Sequence, residues 1–185
     1  MRFSVAKEYP HISHDFAAVR RTVLAAIATK YEESHHVDGA MTAFESTRSR
    51  VDEHLYPDSI KCLQWLRSKG IRCCVLTNGS ADLMACSALR DFLELSLNAG
   101  DVGASKPSVV PFMALSLLTA VPPSRILYIG DSYEHDVIGA KRAGMRSAIL
   151  LRDASEGVIY SNIRPDYELP CLDPETLSVL LKIRL

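Results

Sequence analysis

Apolar residues at Phe16, Val19, Val23, Leu24, Ile27 and Tyr31 recur at helical spacing. This predicts a helix over 16–31, with Ser13 or Asp15 available to cap its start. After the polar link 32–36, Met41, Phe44, Val51 and Leu55 mark a second helix over 38–55. Two helices joined by a short link predict an antiparallel pair. At Tyr56-Pro57-Asp58 the texture changes. A proline at a first helical position, then Ile60, Leu63 and Leu66 on one face, then Gly70, predict a helix over 57–69. The apolar run 71–77 follows at once and reads as a buried strand. The rhythm then repeats: helix 80–93, strand 95–99, helix 108–119, strand 125–129, helix 134–143, strand 147–151, strand 166–169 and helix 173–182. Such alternation predicts a parallel sheet with helices on both faces. Residues 152–165 are the expected mobile loop.

Composition narrows the class. The 185 residues are 48% hydrophobic and 23% charged, which excludes collagen-like, coiled-coil-only and disordered chains. At this size one sizeable core forms without staples. The 21 basic and 22 acidic residues leave a net charge of -1, so bulk electrostatics offer no pull toward nucleic acid or an anionic membrane. No stretch reaches the roughly 18 apolar residues of a membrane span, and the first residues lack an apolar signal run. The expected setting is cytoplasmic. Cys62, Cys73, Cys74, Cys86 and Cys171 are odd in number and none has C-x-x-C spacing, so they read as reduced, mostly core thiols.

In an open parallel sheet, ligands bind outside the carboxyl ends of the strands. Three such ends are polar. Thr77-Asn78-Gly79-Ser80 follows the first strand; its free backbone N–H groups make an anion cradle, although such turns are more often only caps. Gly103-Ala104-Ser105-Lys106-Pro107 follows the second. There the Lys106 ammonium is placed to neutralise a phosphoryl oxygen, against the bland reading of a solvated lysine. Gly130-Asp131-Ser132-Tyr133-Glu134-His135-Asp136 follows the third. Two aspartates five apart there suit magnesium, the alternative being helix capping by Asp131.

Taken together, Leu76-Thr77-Asn78-Gly79, Gly103 to Pro107, Ile129-Gly130-Asp131 through Asp136, and Gly139 to Met145 resemble the second, third and fourth motifs of the haloacid dehalogenase-like (HAD) hydrolases. The resemblance is specific over 56–151. It implies a Rossmannoid three-layer α/β sandwich with a parallel sheet and a small helical cap. The expected division is a cap region over 1–55 and a core over 56–185. It further implies two-step phosphoryl transfer through an aspartyl phosphate. Thr77 and the amides of Asn78 and Gly79 would hold phosphoryl oxygens, and Lys106 would balance charge. Asp131 would ligate Mg2+, and Asp136 would order the metal site or pair with Lys106. The implied partner is a small phosphorylated substrate: a sugar phosphate, a nucleotide or a small organophosphate, with a carbon–halogen substrate less favoured.

One motif is missing. The family's first motif is a strand ending in Asp-x-Asp, and this sequence contains no two aspartates separated by one residue. In the family that strand lies mid-sheet, so its loss is expected to leave neighbouring strands with unpaired backbone groups. Either Met1 to Val5 fill the place poorly or the chain is a fragment or alternative start of a longer phosphatase, silent by itself. Asp101 is near the site but is not expected to serve as nucleophile.

Other readings compete. A non-catalytic phosphate- or metal-binding or interaction module on the same scaffold is the principal alternative. Gly130-Asp131-Ser132 also matches the start of a serine-esterase signature, but no histidine follows His135 to act as base. The pairs His11 with His14 and His35 with His36 read as surface histidines, because no ligand quartet completes them. Trp65 reads as a core or rim residue.

Overall fold

The computed structural model describes residue 8 and residues 10–153 and 162–181. Helix α1, Phe16–Lys30, is capped by Asp15, whose carboxylate accepts the Ala17 and Ala18 N–H groups at 2.9 Å. Helix α2, Val37–Ser49, packs against it, with Val19 and Met41 buried. The second helix is shorter than expected: it ends before Arg50, which leaves helical backbone, and Val51–His54 form a 3-10 turn. Helix α3, Pro57–Ser68, starts on its proline and stops before Gly70, which is left-handed at φ +68°.

Strands β1, Cys73–Thr77, and β2, Leu93–Asn98, pair in parallel. The helix expected over 80–93 does not form; 83–89 run as turns before a 3-10 turn at Arg90–Phe92. Side-chain acceptors take the backbone donors there: Asp82 accepts the Met84 N–H at 2.9 Å, and Asp52 accepts that of Ala88 at 3.3 Å. Leu83, Cys86 and Leu89 are spaced like a helix face and are packed inward all the same.

Helix α4, Ala99–Val102, is one turn, and helix α5, Val109–Thr119, leads to β3, Leu127–Gly130. The next helical segment opens as a π turn, Tyr133–Ile138, and closes as α6, Gly139–Arg142. Strands β4, Arg146–Leu150, and β5, Tyr167–Leu169, then helix α7, Pro174–Leu181, complete the described chain. β3, β4 and β5 pair in parallel in that order. The expected loop over 152–165 falls largely outside the described residues, as do Met1 to Val5.

Both faces of the sheet are covered, and the strands alternate accordingly. Leu127 and Ile129 pack with Cys62, Trp65 and Leu177 from α3 and α7. Tyr128 and Leu76 instead join Phe112 and Leu115 of α5, Ala140 of α6 and Ala143 at its end. This is the three-layer parallel α/β arrangement that the sequence predicted. The sheet itself is divided: β1 with β2 forms one half, β3 with β4 and β5 the other, and no described strand joins them.

Candidate active site

The residues singled out at three strand ends converge. The Lys106 ammonium sits between the two half-sheets and has three acceptors for its three protons: Asp136 Oδ1 at 2.6 Å, Tyr128 Oη at 2.9 Å and the Leu76 carbonyl at 3.1 Å. Its side chain is 11% exposed and that of Asp136 5%, so this is a buried ion pair and not a solvated lysine. Tyr128 donates its own proton to the Leu76 carbonyl at 3.0 Å. Burial, reinforced by the Asp136 carboxylate, pushes the phenol pKa well above its usual value, which keeps it a neutral donor.

Asn78 ties two loops together. Its Oδ1 accepts the Lys106 N–H at 2.8 Å and its Nδ2 donates to the Lys106 carbonyl at 3.0 Å. The side-chain amide therefore positions the lysine loop on the turn after β1. Thr77 Oγ1 accepts the Gly79 N–H at 2.9 Å, which leaves the hydroxyl proton free to donate outward. The turn is thus a shaped end of β1 beside a fixed cation.

Beyond β3, Asp136 is held from the other side as well, accepting the Ser132 N–H on Oδ2 at 3.0 Å. Gly130 makes this possible: a Cβ there would lie 2.3 Å from the Asp136 carboxylate. Gly139 does the same for the covering layer, since a Cβ would lie 2.4 Å from the Phe112 ring. Asp131 is exposed, and no described group hydrogen-bonds or pairs with its carboxylate. Both of Asp136's oxygens accept hydrogen bonds, one of them from Lys106, whereas the Asp131 carboxylate is open.

Four smaller expectations resolve. Asp101 is used in the capping box of α4, accepting the Asn98 N–H at 2.7 Å. Ser132 caps the π turn, accepting the His135 N–H at 3.2 Å, with its Oγ 2.9 Å from His135 Nδ1. All five cysteines are free, and burial pushes the Cys62 and Cys73 thiols up to about 11. His35 and His36 gather with Glu33, at 3.8 and 3.2 Å, into an exposed trio far short of a closed quartet. The His11 side chain lies outside what the structure describes.

Sequence reasoning missed Arg48. This residue of α2 brings Nη2 within 3.4 Å of where a Cβ on Gly79 would stand, so a guanidinium hangs over the Thr77 turn. No described carboxylate pairs with it; it lies 5.6 Å from the Phe44 ring. Nothing in the local sequence marks Arg48 out from Arg50 just after α2 or from Arg20 and Arg21 of α1.

The model of the haloacid dehalogenase-like hydrolases matches residues 5–144. The chain belongs to this family. Among curated members it is similar to the 5-amino-6-(5-phospho-D-ribitylamino)uracil phosphatase YigB of Escherichia coli, 34% identical over 154 residues, covering 80% of this chain and 62% of that protein. It is 33% identical to the phosphoserine phosphatase of Thermus thermophilus over 104 residues, 54% of this chain and 42% of the relative. Among solved structures, a 2-haloacid dehalogenase from Pseudomonas syringae superposes with a TM-score of 0.80 at 27% identity, covering 98% of this chain and 78% of that one. The HAD-like chain thus spans between 42% and 64% of the length of these and similar curated relatives.

Proposed function

We propose that this chain carries the phosphate- and metal-binding residues of a magnesium-dependent phosphohydrolase acting on a small phosphorylated metabolite, and that it is catalytically silent without an acid to attack phosphorus. The observation that carries the reading is Lys106. Its buried ammonium is fixed by three acceptors and tied by Asn78 to the anion-shaped turn at Thr77. Phosphoryl transfer asks mainly for such fixed positive charge and positioning. The named relatives that are phosphatases support the substrate class.

Within that reading, the Thr77 hydroxyl and the Asn78 backbone N–H bind phosphoryl oxygens, the Gly79 N–H expected beside them being taken by Thr77 Oγ1, while Lys106 balances their charge. Asp136 does not bind the phosphate; it holds Lys106 in place. Asp131 fits magnesium, being a hard oxygen donor, exposed at a strand end and engaged by no described group. Bound there, Mg2+ would supply charge neutralisation at the phosphoryl oxygens. Silence follows from chemistry: Asp131 and Asp136 have other parts, Asp101 is spent as a cap, and no Asp-x-Asp occurs in the sequence.

Two measurements test this. Orthophosphate binding in the presence of Mg2+, followed by calorimetry, should weaken about tenfold in Lys106→Met and in Thr77→Ala, the value of one charge-assisted hydrogen bond. Unchanged affinity in both variants overturns the site. Hydrolysis of an aryl phosphate by the purified chain should not exceed the blank. Turnover that disappears in Asp131→Asn would instead reveal an attacking group within the chain.

A further inference from the structure

His36 and Arg48 stand at opposite ends of α2, about 18 Å apart along its axis. The turn between α1 and α2 is therefore remote from the strand-end site. Helix α1 closes on a left-handed residue, Glu32 at φ +57°, and the Glu33 N–H then reaches back to the Ala28 carbonyl at 2.8 Å. The His36 N–H in turn donates to the Glu33 carbonyl at 3.0 Å. The turn is thus fixed by its own backbone, and it gathers three side chains. Glu33 Oε2 lies 3.2 Å from His36 Nε2 and 3.8 Å from His35 Nε2, and the two imidazole rings stand 3.9 Å apart, tilted at 42°. One ligand atom from each of the three lies within 4.8 Å of the others. Hydrogen bonding does not account for the group, since 3.8 Å is beyond its reach. Two cationic rings so close would repel, whereas two neutral ones can each offer a nitrogen lone pair beside the same carboxylate. A tetrahedral ion with bonds of about 2.0–2.2 Å holds its ligands about 3.3–3.6 Å apart, and the two distances to Glu33 bracket that spacing.

We propose that Glu33, His35 and His36 form a binding site for one transition-metal dication of the zinc class, held by two imidazole nitrogens and one carboxylate oxygen, with its remaining position open to water. A closed quartet is what a structural metal demands; an open site is complete with three protein ligands. Imidazole nitrogen selects Zn2+, Co2+ or Ni2+ over Mg2+ and Ca2+, which take oxygen. Glu33 and His36 also line a pocket of about 250 Å³ walled by apolar residues of both helices, Leu24, Ile27 and Val37 among them. Water is excluded from the trio on that side, which strengthens the attraction between carboxylate and cation. An ion held there ties the end of α1 to the start of α2. The inference stands apart from the phosphohydrolase reading and shares no residue with it.

The test uses the full chain and Co2+, a paramagnetic ion that takes the same ligands as Zn2+. Below one equivalent, the imidazole proton signals of His35 and His36 should broaden before those of His14, His54 and His135, and no thiolate-to-cobalt absorption should appear. Broadening that begins at His135, beside Asp131, or a thiolate band from the five free cysteines, would put the ion elsewhere and overturn the proposal. Zn2+ calorimetry should then give one equivalent bound at micromolar affinity. His36→Ala and Glu33→Gln should each weaken it about tenfold or more, the least that even an outer hydrogen-bond partner of a metal ligand is worth. Asp131→Asn should leave it unchanged, as should Mg2+ in about hundredfold excess. All three side chains are more than half exposed, so the substitutions at the trio leave the fold intact, and the wild-type spectrum is read without any variant. Unaltered affinity in both trio variants, displacement of Zn2+ by Mg2+, or binding that does not saturate at one equivalent would each overturn the site.

Discussion

Lys106 and Asp136 form the most deeply buried ion pair among the described residues. Each is buried and each is the other's countercharge, so removing one leaves an uncompensated charge, a loss of about 3 kcal/mol or more. Lys106→Ala is therefore expected to lower stability by that amount in urea denaturation, with Asp136→Asn added in the same chain recovering part of it. Gly130→Ala, which drives a methyl group into the Asp136 carboxylate, should cost about 1–3 kcal/mol by the same measurement. Arg48→Ala behaves oppositely: exposed and without a carboxylate partner, it should leave stability within about 0.5 kcal/mol while weakening orthophosphate binding. Thr77, Asn78, Lys106, Asp131 and Asp136 were all legible as candidates, because strand ends are where polar residues in an apolar rhythm stand out. Their division of labour was not. That Asp136 is sealed against Lys106 while Asp131 stays open depends on which way each carboxylate points from the π turn, and on Gly130 leaving room. Arg48 was invisible because its proximity to Gly79 comes from how α2 lies against the turn, a tertiary fact with no local signal.

Among the elements, α3 and the segment after β4 are joined by one well-formed contact. Arg152 grips Asp58 through two bonds of 2.7 and 2.9 Å, and the same carboxylate accepts the Leu172 N–H at 2.9 Å. The guanidinium holds the Asp58 carboxyl below the usual carboxylate range, with the Leu172 N–H adding to it and burial working against both. Because the folded value is lowered, the bond's contribution is present above about pH 4 and is lost as pH falls through the depressed value. With both side chains under one quarter exposed, that contribution is about 1–2 kcal/mol. Asp58→Asn should lower the thermal midpoint at pH 7 and flatten its decline toward pH 3. Element types were well predicted wherever apolar period and punctuation agreed, as at Pro57 and Gly70. They failed over 80–89, where a helix-like spacing of Leu83, Cys86 and Leu89 was outweighed by Asp82 and Asp52 capturing backbone donors. One of those captors comes from a segment some 36 residues earlier, which no window on the sequence would include.

For the molecule as a whole, the parallel architecture could be read from the alternation of elements, since helix–glycine–strand units admit few other packings. The two half-sheets of the described residues have no signal in any local property of β1 or β3, whose residues read as ordinary buried strands. The tie between the Thr77 turn and the lysine loop also sets the pace of binding. The two bonds from Asn78 to the backbone of Lys106 lock the loops after β1 and β2 together before any ligand arrives. An anion entering this cradle meets groups already in place and pays little ordering entropy. Its association should therefore be a single fast phase whose rate rises linearly with concentration and falls with salt, with no slow closing step behind it. In Asn78→Ala the loops are untied. Stopped-flow mixing with orthophosphate and Mg2+ should then resolve a second, concentration-independent phase as the lysine loop finds its place.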